Sequence, residues 1–500
     1  MNFFFSLKPW VQVSIAGIVS GLAFFPLNLG FLAWVSFIPL LHIFITSSLN
    51  KNLIYGYIFG FTFNFTAFYW IGSNSGADKL TVIGSLVAAV CYLSIFWALA
   101  GFLFSVLPRD QKSTLGGLFF PFLIVFVEWL RSFGALGFPW SNIALSQSKY
   151  TYFIQYIDIT GTYGVSFIVM SFNVILYNAI KKRISLKQAL SFVLFIFLGL
   201  SLAGWGRSKS LLKSDKIIKA AIVQPNIDPN TKWENKNKII AFMDSLHIVS
   251  NKLNPDLVIF PETALPSYLV RDNHTRRNLQ KTVDSFNIPL LTGTIYASND
   301  SGSRFYYNSA MFLKPHSDFK LYSKIHLVPF AEYDLLPAIF HPLTKLNINI
   351  DRGRFKSGEK FVIFNWKNFS FSNLICYESS IPRIARKFVS KGAQFLIIQA
   401  NDGWLGNSFG PYQHFELARL RAIENRVPII RCANTGISGI IRPDGKVQSM
   451  INLNQQGIIS ENVSIGFNNS FYTKYGDIFA FSCFIITLIF IFYSCKKRFF

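Results

Sequence analysis

The chain has 500 residues, of which 51% are hydrophobic, and it carries a formal net charge of +23. Its mean hydropathy of +0.34 is too high for a soluble globular protein of this length and excludes that class. The 48 lysines and arginines are scattered along the chain, so the positive charge does not indicate a nucleic-acid-binding protein.

The first 207 residues consist mainly of apolar runs that are separated by short polar connections. The runs cover about 10–27, 30–47, 53–72, 81–107, 115–133, 163–180 and 189–206, and a further run covers 474–495. Each is close to the ~20 residues that a helix needs to cross a ~30 Å hydrocarbon core. We therefore predict a polytopic α-helical membrane protein with about eight transmembrane helices. The run at 163–180 is short enough to be re-entrant, so the count is open by about one helix.

The short connections between the runs differ in their basic residues. One side of the membrane receives most of them, including those at 181–183 and 496–498, whereas the other side receives Lys79, Arg131 and Lys149. Lysine and arginine are enriched in cytoplasmic connections. We therefore expect both termini in the cytoplasm and residues 207–473 on the outer face. The first run lacks a small-residue cleavage site, so we interpret it as a retained helix.

Two opposite charges, Glu128 and Arg131, lie three residues apart in the fifth run and therefore on one helix face. Charges at this depth are costly and are usually paired or functional. We expect an ion pair that orders this helix, with contact to a phospholipid headgroup as the alternative.

The pattern changes between the seventh and eighth runs, over residues 216–466. Short β-type runs alternate there with polar, helix-compatible segments, which predicts an inserted α/β domain with its sheet covered by helices. The predicted strands are 220–224, 257–260, 290–295, 309–313, 372–376, 395–399 and 429–433, and the clearest helices are 236–253 and 412–424.

Three of these predicted strands stop at polar or reactive residues. Glu262 closely follows 257–260, Cys376 ends 372–376, and Asp402 closely follows 395–399. The ends of strands are where sites usually lie in such sheets. Cys376 and Cys432 are the two cysteines of this domain, and one possible pair is a poor disulfide framework, so we expect both thiols to stay reduced.

Cys376, Glu262 and Lys324 together have the groups that acyl transfer requires. A thiolate is a nucleophile, a carboxylate can take the thiol proton, and an ammonium can stabilise an oxyanion. Each residue alone has an ordinary structural interpretation, and only the combination indicates catalysis. His326 and His414 lack a ligand spacing typical of a metal site, so we expect no metal and no other cofactor.

The motifs around these residues are Phe-Pro-Glu-Thr at Glu262, Lys-Ile-His-Leu-Val-Pro-Phe from Lys324 and Ile-Cys-Tyr-Glu at Cys376. They resemble the Glu-Lys-Cys triad of the nitrilase (carbon-nitrogen hydrolase) superfamily, which implies an αββα sandwich. Such a domain between seven N-terminal spans and one C-terminal span resembles the apolipoprotein N-acyltransferase family. Matching segments also occur at 128–132, 137–140, 224–226, 401–404 and 434–436.

The resemblance implies a two-step reaction without a cofactor. Cys376 attacks an ester of a phospholipid, typically phosphatidylethanolamine, and forms an acyl-thioester. The α-amino group of diacylglyceryl-cysteine in an apolipoprotein then takes the acyl chain. In this scheme Glu262 is the base and Lys324 stabilises the oxyanion.

The resemblance also implies supporting residues and a location. Glu332 and Glu378 support the lysine and the site, and Trp233 and Tyr377 position substrates. The domain at 216–466 faces the periplasm, and the chain lies in a bacterial inner membrane. The apolar loop at 335–340 is a candidate shield that keeps water from the thioester.

Two other functions remain open from the residues alone. A membrane-tethered amidase or nitrilase passes the acyl group to water, but it needs a single anchor rather than eight spans. A transporter or channel with an outer accessory domain needs charges along a path, and the spans offer few besides Glu128 and Arg131.

Overall fold

The computed structural model describes residues 5–106, 115–211, 216–300, 303–329, 331–333, 355–466 and 470–499. The chain divides into a helical unit, made of Met1–Gly72, Lys79–Ser210 and Tyr475–Phe500, and a sheet unit, made of Ser73–Asp78 and Leu211–Lys474. The shielding loop predicted at 335–340 lies outside the described residues.

Each of the seven N-terminal apolar runs corresponds to helical structure. The helices are α1 (Pro9–Leu22), α2 (Ile38–Thr46), α3 (Leu49–Phe68), α4 (Lys79–Val106), α5 (Leu115–Arg131), α6 (Ile157–Thr160), α7 (Tyr163–Ile180) and α8 (Leu186–Ser210). Within the described residues, three helices are long and apolar enough to cross a membrane, namely α4, α7 and α8. The other apolar segments, including α1, are shorter or less apolar by the same measure.

Two features of the helical unit follow from particular residues. Gly56 of α3 lies so close to α4 that a Cβ there would be 2.4 Å from the carbonyl oxygen of Trp97, which is the close backbone approach typical of membrane helices. The ion pair expected within α5 is confirmed, because Arg131 Nη2 lies 3.9 Å from Glu128 Oε1. The N–H of Ile143 donates to the same oxygen at 2.7 Å.

The sheet unit contains two six-stranded sheets with the orders β12-β1-β2-β3-β4-β5 and β11-β10-β9-β8-β7-β6. The strands are β1 (Lys216–Gln224), β2 (Leu257–Ile259), β3 (Leu290–Asp300), β4 (Ser303–Leu313), β5 (Lys320–Ser323), β6 (Phe364–Trp366), β7 (Phe369–Ile375), β8 (Phe395–Ala400), β9 (Ile429–Ala433), β10 (Ser438–Ile441), β11 (Val447–Ile451) and β12 (Gly457–Ile465). The helices are α9 (Lys236–Asn251), α10 (Asn273–Phe286), α11 (Pro382–Ser390), α12 (Gly410–Asn425) and α13 (Phe471–Tyr475), and α14 (Ile478–Phe499) follows in the helical unit.

The two sheets lie face to face. Cys432 of β9 is buried, and its thiol contacts the carbonyl oxygens of Val223 and Ile259 in the other sheet at 3.3 and 3.4 Å. Helices α9 and α10 pack on the first sheet in an apolar cluster that includes Met243, Leu279 and strand residues such as Val223. Helices α11 and α12 pack on the second sheet, so the domain is a four-layer αββα sandwich.

The strand direction brings several strand ends together. β1, β2 and β3 are parallel neighbours in the first sheet, and β7, β8 and β9 are parallel neighbours in the second. Gln399 near the end of β8 donates to the carbonyl oxygen of Phe260, just beyond β2, at 2.6 Å. The segments that follow β2, β7 and β8 therefore meet at one edge of the sandwich.

A buried histidine in α9 predicts an acid-sensitive fold. His247 is 0% exposed, and neither ring nitrogen has a hydrogen-bond partner among the described residues. Burial lowers the pKa of His247 to about 4, below its value of about 6.5 in the unfolded chain. Protonation therefore favours unfolding, and the associated stability is present above pH 6.5 and is lost as the pH falls toward 4.

We expect the full-length protein in detergent to lose about 2 kcal/mol of unfolding free energy between pH 7 and pH 5 through His247. The variant His247→Phe keeps an aromatic ring against Phe260 but cannot be protonated. Thermal unfolding at both pH values measures the difference. An equal loss of stability in the variant would show that His247 is not the acid-sensitive group.

Candidate active site

Cys376 lies in a turn rather than in a strand. The sequence predicted that the strand includes Cys376, but β7 ends at Ile375 and Cys376 begins the 3₁₀ turn Cys376–Ser380. Its φ is +52°, a left-handed conformation that strands do not adopt and that is unusual outside glycine. The prediction was therefore wrong by one residue, and the turn leaves Cys376 as a whole partly exposed at the strand end.

Glu262 lies in the segment that follows β2, and it is 7% exposed. Gly293 of β3 allows this segment to pack closely, since a Cβ there would lie 2.4 Å from the backbone nitrogen of Thr263 and 2.7 Å from Cα of Glu262. Asn308 of β4 donates from Nδ2 to Glu262 Oε1 at 2.7 Å. One carboxylate oxygen is thus held in place by an amide.

Lys324 follows β5, and it is 1% exposed. Its Nζ donates to both oxygens of Glu332, at 2.8 Å to Oε1 and 2.7 Å to Oε2. Asn308 Nδ2 donates to Glu332 Oε1 at 2.9 Å, and the N–H of Lys324 donates to the carbonyl oxygen of Asn308 at 2.8 Å. Asn308 therefore links the carboxylates of Glu262 and Glu332, and the structure places Glu332 against Lys324.

Glu378 joins the Lys324 segment to the Cys376 turn. Its Oε1 accepts from the Tyr322 hydroxyl at 2.7 Å and from the backbone N–H groups of Ile325 and His326 at 2.7 and 3.2 Å. Its Oε2 accepts from the N–H of Ile375 at 2.8 Å. A single buried carboxylate thus ties the chain after Lys324 to the strand before Cys376.

The charges of the cluster affect one another. Burial raises the pKa of Cys376 well above its ordinary value, and the negative charge of Glu262 adds to this effect while Lys324 opposes it. Burial also raises the pKa of Glu262, again against the effect of Lys324. The resting proton therefore lies on the thiol, and the raised pKa makes Glu262 a stronger base than an ordinary carboxylate.

Lys324 keeps its charge in this environment. Burial alone would lower the pKa of Lys324, but Glu332, Glu262 and Cys376 together outweigh burial and raise it above its ordinary value. The cluster therefore has a neutral thiol, a carboxylate and a fixed cation within electrostatic reach of one another, which are the groups that acyl transfer requires.

Tyr377 and Trp233, the two aromatic residues predicted to position substrates, differ in their exposure to solvent. Tyr377 is 6% exposed and stacks on His326 with ring centroids 5.8 Å apart. Trp233 is 46% exposed, and its ring lies 5.7 Å from that of Tyr268. Lys232 connects Trp233 to the cluster, because its buried ammonium donates to the carbonyl oxygen of Thr263, next to Glu262. Of the two rings, the exposed one at Trp233 is available to a ligand.

Lys232 and Asn308 also belong to the cluster, but neither was predicted from the sequence. Burial lowers the pKa of Lys232 to about 8, although Glu262 opposes this shift. Lys232 was not singled out beside Trp233, and Asn308 lies one residue before the predicted strand 309–313. Asn308 directly follows the aromatic run Phe305–Tyr307, and a polar amide at such a position is a signal that could have found it, because buried amides need partners.

Within the described residues, the side chains of Cys376, Asp402 and His414 form a group that resembles a metal site. Their donor atoms lie within 4.8 Å of one another, and zinc accepts such donors. Arg431 Nη2, however, lies 2.6 Å from Asp402 Oδ2 and 3.0 Å from His414 Nδ1. A fixed guanidinium in contact with two of the three donors disfavours a second cation there.

We predict that Glu378→Gln destabilises the site. Four donors surround a carboxylate with two acceptor oxygens, and the amide of glutamine replaces one oxygen with a donor that faces at least one of them. Each unsatisfied buried group costs about 1–3 kcal/mol. A lower melting temperature of the full-length protein, with Glu359→Gln at an exposed position as control, is the expected result. Equal melting temperatures for the two variants would contradict it.

The chain matches two family models and several named relatives. The model of the carbon-nitrogen hydrolase family matches residues 219–467, and that of the apolipoprotein N-acyltransferase N-terminal domain matches residues 16–175. The apolipoprotein N-acyltransferase of Geobacter metallireducens is 30% identical over 489 residues, covering 95% of this chain and 93% of the relative.

That of Rickettsia prowazekii is 32% identical over 500 residues, covering 96% of this chain and 97% of the relative. These matches extend over both units and include the segments around Glu262, Lys324 and Cys376. The chain therefore belongs to the apolipoprotein N-acyltransferase family, and its sheet unit is a domain of the nitrilase (carbon-nitrogen hydrolase) superfamily.

Proposed function

We propose that this protein transfers an acyl chain from a phospholipid, through a thioester on Cys376, to the α-amino group of diacylglyceryl-cysteine at the N terminus of an apolipoprotein. The observation that carries the proposal is the cluster in which Asn308 hydrogen-bonds both Glu262 and Glu332 while Glu332 pairs with Lys324. The charges of Glu262 and Lys324 both act on the pKa of Cys376, in opposite directions. The names of the relatives support the class of acceptor.

In the first step Glu262 takes the proton of the Cys376 thiol as sulfur attacks the ester carbonyl carbon of the phospholipid. A C–S bond forms, and the Lys324 ammonium stabilises the negative oxygen. The ester C–O bond then breaks, and Glu262 returns the proton to the departing glycerol oxygen. The products are an acyl-enzyme and a lysophospholipid.

In the second step a neutral α-amino group attacks the thioester. Such groups have a pKa near 7.7–8.0, so about a tenth is neutral at pH 7. Glu262 takes a proton from the nitrogen as the C–N bond forms, and the C–S bond breaks. The proton then returns to sulfur, which restores the resting thiol, and the same base and cation serve both steps.

We further propose the arrangement in the membrane. Residues 1–207 form seven transmembrane helices, residues 474–495 form an eighth, and residues 216–466 form a periplasmic catalytic domain of an inner-membrane protein. The apolar runs and the basic residues at 181–183 and 496–498 support this topology. Several spans suit a substrate that enters sideways from the bilayer, and phosphatidylethanolamine is the donor we propose.

The test is a transfer reaction with both substrates present. Purified protein is incubated with phosphatidylethanolamine labelled in its sn-1 chain and with a synthetic diacylglyceryl-cysteine peptide. Equal amounts of lysophospholipid and labelled N-acyl peptide are expected. Release of the label as free fatty acid, with the peptide unmodified, would identify a hydrolase instead and overturn the proposal.

A further inference from the structure

A buried polar network lies directly behind Cys376, and the reaction described above does not use it. It consists of Asp402, His414 and Arg431, which are 2%, 1% and 0% exposed. Asp402 lies in the turn after β8, His414 on α12 and Arg431 on β9. Three separate elements therefore bring ionisable side chains to one place in the interior.

The network holds the imidazole from one side. His414 Nδ1 lies 2.7 Å from Asp402 Oδ1, and Arg431 donates to Asp402 Oδ2 at 2.6 Å. Burial would raise the pKa of Asp402, but His414 and Arg431 outweigh it and lower the pKa to about 2, so the carboxylate stays charged. Gly436 leaves room for this carboxylate, because a Cβ there would lie 2.4 Å from Oδ2.

The other side of the imidazole faces the nucleophile turn. His414 Nε2 lies 3.1 Å from the carbonyl oxygen of Cys376 and 2.9 Å from Ser379 Oγ. Ser379 Oγ donates to the same carbonyl at 2.8 Å. A carbonyl oxygen only accepts hydrogen bonds, so the contact with Nε2 is favourable when this nitrogen carries a proton, and the charged Asp402 requires a proton on Nδ1 as well. Burial and Arg431 lower the pKa of His414, while Asp402 and the Cys376 carbonyl act in the opposite direction, and the two contacts together favour the imidazolium form.

Cys376 needs such support because its backbone is strained. A left-handed φ on a residue with a side chain costs on the order of 1 kcal/mol or more, and it persists only where the surroundings fix it. Two donors on its carbonyl oxygen do so here. The direction of the Cα–Cβ bond, and with it the position of sulfur, depends on the same φ.

We propose that His414 is a positioning residue: its Nε2–H holds the carbonyl of Cys376 in the left-handed turn that presents the sulfur, while Asp402 and Arg431 fix the imidazole. Its effect on acyl transfer rests on the proposed function. Its effect on the reactivity of the thiol does not rest on the proposed function, because the turn positions the sulfur in the same way for any electrophile that reaches Cys376.

The experiment uses full-length protein in detergent and three variants. His414→Phe keeps a planar ring but removes both nitrogens, and His414→Gln keeps an amide N–H of similar reach. His247→Phe is the matched control, a buried histidine replaced in the same way. Two rates are measured for each: acylation of Cys376 by phosphatidylethanolamine, over a range of lipid concentrations, and alkylation of Cys376 by iodoacetamide, which needs no natural substrate.

We expect His414→Phe to lower the maximal acylation rate about 100-fold, the scale of a misplacement near 1 Å, with the half-saturating lipid concentration changed less than about twofold. Alkylation falls about 10-fold in the same variant. His414→Gln recovers most of both losses, and His247→Phe stays at the wild-type rates. A merely structural role would not give a loss confined to the maximal rate, with rescue by glutamine.

Wild-type rates in a folded His414→Phe variant would overturn the inference. If His414→Phe does not unfold cooperatively, the variant Asp402→Asn is used in its place. It weakens the contact that fixes the imidazole and is expected to lower both rates about 10-fold. Unchanged rates in Asp402→Asn would overturn the inference. Normal alkylation of wild-type Cys376 without any acylation by lipid would refute the proposed function. The alkylation rates of the variants would then still test the positioning role of His414.

Discussion

Replacing Cys376 with serine is expected to abolish acyl transfer, with a loss on the order of 10³-fold or more, because removal of a nucleophile generally costs at least this much. A serine hydroxyl is far less acidic than a thiol, so Glu262 does not deprotonate it to a useful extent. The serine is isosteric enough to keep the turn and its carbonyl contacts. The fold should therefore survive while the reaction does not.

Cys432→Ser is the matched control for this variant. Cys432 is also a free cysteine of the sheet unit, but it is fully buried between the sheets, and burial raises its pKa above the ordinary range. Formation of N-acyl peptide and the melting temperature are measured for both variants. Transfer at the wild-type rate by Cys376→Ser would show that Cys376 is not the nucleophile.

Lys324→Met is expected to damage both stability and chemistry. It leaves the buried carboxylate of Glu262 and the partly exposed carboxylate of Glu332, which Asn308 links, without their cation. Breaking a buried ion pair in this way costs about 3–5 kcal/mol. Loss of the group that we propose to stabilise the oxyanion is expected to lower the rate by about 10²–10³-fold, so the variant should be both less stable and nearly inactive.

The pH dependence distinguishes this explanation from simple unfolding. Lys324 lowers the pKa of Glu262, so its removal raises that pKa further and leaves more of the base protonated at neutral pH. The residual activity of a folded Lys324→Met variant should therefore increase toward alkaline pH more steeply than that of wild type. Lys320→Met, at an exposed position on β5, should keep wild-type activity and pH profile. A flat profile in Lys324→Met would argue against the coupling.

The parts of the fold that could be predicted from sequence are those where burial leaves a continuous apolar pattern. The central strands β1–β4 and β7–β9 lie where the predicted strands do, because both their faces are covered. β5, β6, β10, β11 and β12 were not predicted. They are short or lie toward the sheet edges, where polar residues alternate with apolar ones, as in Gly457–Ile465.

Some residues of the candidate site could also be predicted from the sequence, and others could not. Glu262 and Cys376 were predicted because each is a reactive residue near the end of an apolar run, and Lys324 was predicted from the motif around it. Asn308 and Lys232 were not, because their roles depend on partners that are distant in sequence: Asn308 lies 46 residues from Glu262, and Lys232 lies 31 residues from Thr263. His414 was considered as a metal ligand, and only the contacts of Asp402 and Arg431 show a different environment.

The most direct test of the acyl-enzyme is the mass of the Cys376 peptide. Purified full-length protein is incubated with phosphatidylethanolamine of defined acyl chains and without any acceptor, then digested under conditions that preserve thioesters. A mass increase equal to one acyl group is expected on this peptide, and neutral hydroxylamine should remove it. An unmodified Cys376 peptide, in a preparation that still acylates the acceptor peptide when both substrates are supplied, would contradict this expectation.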